Sequence, residues 1–202
     1  MEKDGAVPEG SGGRPSVADV RRGQIVDAFL SLVTKHGLEQ VNLADVAAAS
    51  GVQQPAIRHF VGNRDDLIVA AIAELNRRYL AGCYAIAAES PNIETLVSMF
   101  FDPSVSHDPD AIAFFHMVPE SFHHEGTLAA VKEAYEIFLR VVADGLRRSY
   151  PDVGEARIRD TAYAIGCLME MSGTLQRMGF PRARATGAAK AALALAEELR
   201  NN

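Results

Sequence analysis

The sequence predicts an all-α protein, in which an N-terminal three-helix unit with a helix-turn-helix precedes a larger helical domain. Apolar residues recur at helical spacing along most of the chain, and no run alternates in the way that paired strands require. Three times, a capping residue is followed three positions later by an acid, just where the apolar pattern restarts. These pairs are Ser16–Asp19, Asn42–Asp45 and Asn63–Asp66.

Composition and charge are typical of a globular protein that works in a reducing compartment. The chain has 202 residues, of which 48% are hydrophobic and 23% charged, and its formal net charge is −6. Residues 14–64 differ, since they carry six bases and four acids, a net charge of +2. Cys83 and Cys167 lack metal or redox spacing, so we expect both to pack in the core. The absence of a secretory pattern and of a long apolar run predicts a cytoplasmic protein with no membrane association.

The first 36 residues divide into a tail and a helix. Residues 1–15 are rich in glycine and proline and are predicted to be a disordered tail, in which Arg14 is a candidate DNA-contacting arm. From Ser16 a helix is expected to run to Gly37, with one apolar stripe facing inward. The stripe comprises Val20, Ile25, Ala28, Phe29, Leu32 and Val33.

Residues 42–67 have the pattern of two short helices joined by a tight turn, with a third helix starting at once. Ala47 is small where the second helix crosses, Gly51 suits left-handed backbone, and Ile57 points inward. The second helix keeps a polar outer face, and such a helix fits the major groove of DNA. Residues 16–63 are therefore predicted to form a DNA-binding domain.

A long helix is predicted from Arg64 to about Glu89. At about 26 residues it would span roughly 39 Å, which makes it the expected mechanical link into a second domain, residues 64–202. Further helices are expected at 92–101, at 111–126 with an interruption at Pro119, from Thr127 to Ser149, near 155–178 and near 182–200.

The N-terminal motifs together resemble those of the TetR family of transcriptional regulators. The resemblance runs from about Arg21 to Ala71 and rests on IVDAFLSLVTKHG, NLADVAAASGV and QQPAIRHFVGNRDDL. It implies a homodimeric DNA-binding regulator, predicted to be a repressor that leaves its double-stranded operator when a small-molecule effector binds. The second domain would then bind the effector and form the dimer, and no cofactor is predicted.

The resemblance also assigns DNA contacts by position in the family motif. Asn42 and Arg64 fall at phosphate-contacting positions, and Gln53 opens the recognition helix. Gln54 is the predicted base reader because its amide can pair with adenine, and Pro55 is tolerated in a first turn. The predicted set is Asn42, Gln53, Gln54, Pro55, Ala56, Arg58, His59, Phe60 and Arg64.

Two positions depart from the family motif. Arg58 stands where a tyrosine is usual, and it is predicted either to hold phosphate or to read guanine. Phe60 and Val61 replace the usual His-Phe pair, so one of them is expected to pack inside. The operator sequence therefore cannot be copied from a relative.

Aromatic and methionine side chains concentrate in the first part of the second domain. Most are expected to be core residues, but their position in short, proline-broken helices is typical of an adaptable apolar cavity. The resemblance implies an effector pocket in this half, and the aromatic lining predicts an apolar or amphipathic ligand. The candidate ligand-binding residues are Met99, Phe100, Phe114, Phe115, Met117, Phe122, Tyr135, Phe138 and Met169.

Neither a metal site nor an enzyme active site is predicted. His116, His123 and His124 lie close in sequence near Glu120, but zinc needs three or four converging ligands, which favours surface or pocket histidines. No serine–histidine–aspartate, cysteine–histidine or paired-carboxylate spacing rises above chance.

The last two helices are rich in small residues, in AYAIGCLMEMSG and GAAKAALALAEEL, which permits close helix approach. The resemblance implies that these helices pair with their copies in a homodimer. Two other functions stay open on the sequence alone. One is a helix-turn-helix regulator controlled by a protein partner, and the other is a helical small-molecule-binding protein with no role on DNA.

Overall fold

The computed structural model describes residues 16–88, 92–102, 104, 107–123 and 125–200, and within these ranges it contains nine α-helices and no strand. The all-α class predicted from the sequence is confirmed. The helices are α1 (Val17–His36), α2 (Leu43–Ser50), α3 (Gln54–Phe60), α4 (Arg64–Ala88), α5 (Ile93–Phe100), α6 (Pro109–Ser121), α7 (Glu125–Ser149), α8 (Glu155–Arg177) and α9 (Arg182–Glu197), with 3-10 turns at Leu38–Gln40 and Glu198–Arg200.

Reciprocal capping boxes start α1, α2 and α4, as the sequence predicts. At α4 the amide of Asp66 donates to Asn63 Oδ1 (3.0 Å), and the amide of Asn63 donates back to Asp66 Oδ2 (2.8 Å). Each box satisfies two amides that the helix leaves unpaired, and its carboxylate suits the positive helix end. The same arrangement joins Ser16 to Asp19 and Asn42 to Asp45.

A left-handed glycine makes the turn of the helix-turn-helix. Gly51 ends α2 with φ 68° and ψ 25°, and the amide of Val52 donates to Ala47 O (3.1 Å). A side chain with a Cβ would be strained in this backbone conformation, which accounts for the glycine. Ile57 on α3 is fully buried and seats that helix against α1 and α2.

The core of the N-terminal unit continues into the second half of the chain. Ala113 and Met117 on α6 are fully buried in the same cluster as Phe29 of α1 and Ile57 of α3. Val131 on α7 joins this cluster as well. Thus α6 packs directly on α1, although more than 70 residues separate them in sequence. The predicted division at residues 63 and 64 stays a prediction, since one core crosses it.

A second core joins α5, α7, α8 and α9. Val142 and Leu146 of α7 meet Ile158 and Ile165 of α8 there, all fully or almost fully buried. A Cβ at Gly166 would lie 2.6 Å from Leu139 Cδ2, so the close approach of α7 and α8 depends on a glycine. This core holds α8 in place beneath the cavity described below.

Several sequence predictions need correction. Pro119 does not interrupt α6, which continues to Ser121. It lies in the last turn, so only two helical residues follow it and little of the helix is disturbed. Thr127 is not a cap, since α7 begins at Glu125 and Thr127 is fully buried. Val20 is 48% exposed and so lies outside the predicted apolar stripe. Cys167 is exposed instead of packed in the core.

Some predictions fall on parts of the chain outside the described residues. These are the tail 1–15 with Arg14, the side chains of Leu80 and Cys83, residue Glu89, and His124. Among the helices that are described, none is both long and apolar enough to pass through a bilayer.

The core shared by α1 and α6 gives a stability prediction. Met117→Ala should lower the free energy of unfolding by about 2–4 kcal/mol, because it removes a fully buried side chain and leaves a cavity. Phe122→Ala is the matched control, since Phe122 is 73% exposed and its loss should cost less than about 0.5 kcal/mol. Urea denaturation measures both changes. Similar values for the two variants would contradict the shared core.

Candidate nucleic-acid interface and candidate ligand cavity

Helix α3 presents a polar surface to solvent. Gln53, Gln54, Arg58 and His59 are all exposed, while Ile57 between them is fully buried. The buried residue fixes the rotation of the helix, so the exposed residues lie on its remaining faces and at its N-cap. This arrangement supplies amide, guanidinium and imidazole groups that can reach base edges or phosphates.

The first turn of α3 is built for close approach. Pro55 lies in that turn, where its missing amide hydrogen would have no partner in the helix, and it is exposed. Ala56 is half-buried, so its methyl group is only partly accessible from outside. The turn therefore carries little bulk between its glutamines and an approaching surface.

Asn42 is exposed at the start of α2 and serves as its cap. Its side-chain oxygen accepts hydrogen bonds from the amides of Ala44 (2.9 Å) and Asp45 (3.0 Å). The oxygen is thus committed to the helix, and a phosphate contact by Asn42 would have to use the side-chain NH₂ group.

Phe60 and Val61 both pack against the N-terminal core, each partly buried. The Phe60 ring also meets the His59 ring edge to face at 5.0 Å between centroids. The carbonyl oxygen of Phe60 accepts from Arg22 Nη1 on α1 (3.2 Å). The end of α3 is therefore anchored by packing. The sequence predicts that either Phe60 or Val61 packs inside, and in the structure both pack against the core.

Arg64 has a structural bond at the start of α4. Its Nη2 donates to the carbonyl oxygen of Leu38 (2.9 Å), in the 3-10 turn between α1 and α2. This bond ties the beginning of the long helix to the N-terminal unit. The phosphate contact assigned to Arg64 stays a prediction.

A cavity of about 560 Å³ lies between α4, α5, α6, α7 and α8. This volume suits a small organic molecule, because ligand pockets generally measure about 300–1,000 Å³. Its walls are mainly aromatic and apolar, with a few charged side chains. The lining residues include Leu75, Asn76, Arg78, Tyr79, Phe100, Asp108, Asp110, Phe114, Phe115, Tyr135, Phe138, Met169, Glu170, Gly173 and Arg177.

Six of the nine candidate ligand-binding residues line this cavity, and three do not. Met99 is half-buried elsewhere, and Met117 belongs to the core under α1. Phe122 is 73% exposed, away from the cavity. Apolar character alone could not separate these three from the others. The six in the wall are Phe100, Phe114, Phe115, Tyr135, Phe138 and Met169.

The charged groups of the cavity were missed by sequence reasoning, which considered only aromatic and methionine residues. On α8, Glu170 accepts a hydrogen bond from the Tyr135 hydroxyl (3.1 Å). Burial, reinforced by the Glu170 charge, raises the pKa of Tyr135, so its phenol stays neutral. Arg177 lies over the Phe115 ring, 4.4 Å from its centroid, and burial lowers the pKa of Arg177. Helical spacing of residues 170, 173 and 177 is the signal that would have grouped them.

Arg78 connects the cavity to the N-terminal unit through charge. Its guanidinium pairs with Glu74 on α4 (2.8 Å), with Asp110 on α6 (3.1 Å) and with Asp27 on α1. Hydrogen bonding by Arg77 and then by Arg78 outweighs burial and lowers the pKa of Glu74 to about 2. One side chain in the cavity wall therefore holds three helices together.

The histidines do not form a metal site within the described part of the chain, where no cluster of three or more candidate ligands occurs. The His116 ring lies near Gly37 at the end of α1, 3.7 Å from where a Cβ on that glycine would stand. His123 is exposed.

Comparison with known proteins finds that the chain is similar to helix-turn-helix transcriptional regulators. No protein-family model matches the chain. The HTH-type transcriptional regulator BetI from Burkholderia thailandensis is 25% identical over 159 residues, 75% of this chain and 79% of that protein. The HTH-type nicotine-responsive transcriptional repressor HdnoR from Paenarthrobacter nicotinovorans is 24% identical over 123 residues, 57% and 63% of the two chains. A solved TetR-family regulator from Cytophaga hutchinsonii matches with a TM-score of 0.74 at 17% identity, over 92% of this chain and 98% of that chain.

The Arg78 cluster gives a pH-dependent prediction. Because the pKa of Glu74 is lowered to about 2 on folding, its carboxylate should stabilise the protein above its ordinary pKa and lose that contribution as the pH falls from about 4.5 toward 2. Glu74→Gln should therefore cost about 1–2 kcal/mol of unfolding free energy at pH 7, after allowance for solvent screening.

Chemical denaturation at several pH values measures this cost. The gap between wild type and Glu74→Gln should narrow below about pH 4.5. Glu133→Gln on the exposed side of α7 is the matched control and should change stability by less than about 0.5 kcal/mol. A gap that stays constant down to pH 3 would contradict the role of Glu74.

Proposed function

We propose that the chain is a TetR-type helix-turn-helix transcriptional regulator, a repressor that leaves its operator when a small molecule occupies the cavity. The observation that carries the proposal is the double contact of α6. Phe114 and Phe115 on this helix line the cavity, while Ala113 and Met117 pack into the core of the DNA-binding unit. A change in the cavity therefore acts on the DNA-binding unit through one helix.

DNA recognition is assigned to the outer side of α3. Gln54 would read adenine through its amide, and Arg58 would hold a phosphate or read guanine. Asn42 and Arg64 would position the protein on the backbone, as phosphate contacts do in other DNA-binding proteins. The exposure of Gln53, Gln54, Arg58 and His59 on one short helix supports this assignment.

Two helices would transmit the effector signal. Besides α6, the long α4 starts in the DNA-binding unit and carries Leu75, Arg78 and Tyr79 into the cavity wall. An effector that prefers one arrangement of α4 and α6 would shift the population toward it. A coupling of about 1–3 kcal/mol would lower operator affinity roughly 5–150-fold. The cavity and its aromatic wall favour this route over control by a protein partner.

The effector is proposed to be a small apolar or amphipathic molecule. A cavity of about 560 Å³ walled by aromatic rings has the size and character for such a ligand. One relative is named as a nicotine-responsive repressor, which is consistent with control of this chain by a small molecule. The site proposed here comprises Phe100, Phe114, Phe115, Tyr135, Phe138 and Met169, together with the charged groups Glu170 and Arg177.

A homodimer is proposed through α8 and α9. Tyr163, Cys167 and Met171 recur every four residues on α8 and are exposed, with Met171 at 56% and Tyr163 at 63%. On α9, Gly187 and Ala191 present small exposed residues that permit close helix approach. A two-fold dimer would set two α3 helices about 34–36 Å apart, which matches adjacent turns of DNA. Since such a regulator acts on chromosomal DNA, the proposal includes a cytoplasmic location.

The role of Arg58 tests the DNA-binding surface. Arg58→Ala should weaken binding to an operator selected from random DNA by about 1–3 kcal/mol, measured by fluorescence anisotropy at low salt. If Arg58 reads a base, specificity at one position should relax. If it holds phosphate, binding should weaken for all sequences, and about one counterion fewer should be released on binding, as measured by the salt dependence of the affinity.

Arg140→Ala on the exposed side of α7 removes the same charge far from α3 and serves as the control. It should leave operator affinity within about twofold. Unchanged affinity in Arg58→Ala, or an equal loss in both variants, would contradict the assigned surface. If wild-type protein shows no salt-dependent binding to any selected DNA, the proposed function itself is wrong.

The dimer face gives a separate prediction. Met171→Asp should convert the dimer to monomers at micromolar concentration, because it buries an uncompensated charge in the proposed interface. Ala129→Asp adds the same charge to the exposed side of α7 and should leave the dimer intact. Light scattering measures both masses. A monomeric wild type, or a dimeric Met171→Asp, would refute this interface.

A further inference from the structure

The cavity wall contains six aromatic rings, of which four meet edge to face in two pairs. Phe100 and Phe138 meet at 5.3 Å between centroids with 74° between their planes, and Phe114 and Tyr135 meet at 5.6 Å and 71°. In such an edge-to-face pair, the ring that offers its edge keeps both faces available to a third group. Ring faces carry partial negative charge and attract cations. Tyr79 and Phe115 complete the set.

The wall already holds one cation in this way. The guanidinium of Arg177 lies 4.4 Å from the centroid of Phe115, and its Nη2 donates to Thr174 Oγ1 (3.2 Å). That contact turns the Arg177 side chain back along α8. The Thr174 hydroxyl in turn donates to the backbone carbonyl of Glu170 (3.1 Å). The Glu170 charge acts on Arg177 and opposes the lowering of the Arg177 pKa by burial.

Fixed charge on the cavity wall is negative. Two guanidinium groups, of Arg78 and Arg177, stand against the carboxylates of Asp108, Asp110 and Glu170, a net charge of −1 among the described lining residues. Arg78 contributes no uncompensated positive charge, since it also pairs with Asp27 and Glu74 outside the wall. A partly enclosed site concentrates such a field more than open solvent does, which favours a ligand of positive charge.

Glu170 is the carboxylate best placed to meet a ligand. Its side chain is half-buried in the cavity wall. Tyr135 donates a hydrogen bond to Oε1 (3.1 Å), which holds the carboxylate in position without neutralising it. The neutral phenol of Tyr135 and the neighbouring rings would surround whatever binds beside it.

From this arrangement we propose that the cavity selects an amine: a protonated or quaternary nitrogen held by Glu170 and the aromatic faces, on an apolar body of modest size. The inference rests on the proposed function, because it names the ligand class of the same cavity. Glu170 supplies the opposite charge, Tyr135 orients it, and the Phe100, Phe114 and Phe138 rings cover the apolar body. Arg177 disfavours a second positive charge on the ligand.

Three probes with one body and different head groups test this ligand class. They are 4-phenylbutylamine, 4-phenylbutan-1-ol and 4-phenylbutanoate, which are cationic, neutral and anionic near pH 7. Isothermal titration of the full-length wild type should rank the amine at least about tenfold tighter than the alcohol, with the carboxylate weakest. The proposal is overturned if the amine shows no detectable binding, binds no tighter than the alcohol, or binds more weakly than the carboxylate.

Substitution of Glu170 locates the selectivity. Glu170→Gln keeps an acceptor for the Tyr135 hydroxyl but removes the charge, and it should lower the amine-to-alcohol affinity ratio about tenfold. Glu133→Gln on the exposed side of α7 removes the same charge elsewhere and should leave that ratio within about twofold. A ratio that survives Glu170→Gln would overturn the assignment.

Operator binding by the wild type, measured without any probe, separates this inference from the proposed function. Salt-dependent binding to selected DNA together with no preference for the amine would refute the ligand class and leave the regulator intact. A clear amine preference that depends on Glu170, without DNA binding, would support the ligand class and refute the regulator.

Discussion

Ala113 and Met117 project from α6 into the core built around Phe29 and Ile57, and Phe114 and Phe115 of the same helix form part of the cavity wall. A closely packed interior does not deform continuously but changes between discrete packing arrangements. An occupant that displaced α6 on its cavity side would alter its contact with α1. Because α3 is seated in that same core, the orientation of α3 depends on this packing.

The ion pairs orient the helices at this contact but add little to its stability. Asp27, which joins α1 to Arg78, has a side chain 62% exposed, and an ion pair so open to water contributes at most about 1 kcal/mol. Its geometric effect is larger, because one guanidinium meets carboxylates on α1, α4 and α6 at the rim of the cavity. The pairing fixes how these helices are oriented, while the fully buried Met117 and Ile72 supply the stabilisation.

Local features could be predicted from the sequence, and long-range ones could not. The capping pairs at Asn42 and Asn63 and the left-handed turn at Gly51 follow from contacts a few residues apart, so the N-terminal helices were foreseen. Pro119 misled the prediction, since its cost depends on its place in the last helical turn. The sequence also could not show that Phe114 lines the cavity while Met117 does not. Both residues are apolar, and only the position of α1 decides which one faces the cavity. Glu170 and Arg177 become neighbours of the aromatic rings through folding alone.

The proposed coupling between the cavity and the DNA-binding surface is measured most directly by hydrogen exchange of the full-length protein with and without a selected operator. If α6 links the two sites, DNA binding should change the exchange rates of amides in α6, residues 109–121, although this helix belongs to the cavity wall and not to the surface assigned to DNA. Changes confined to α1, α2, α3 and the start of α4 would contradict the coupling through α6.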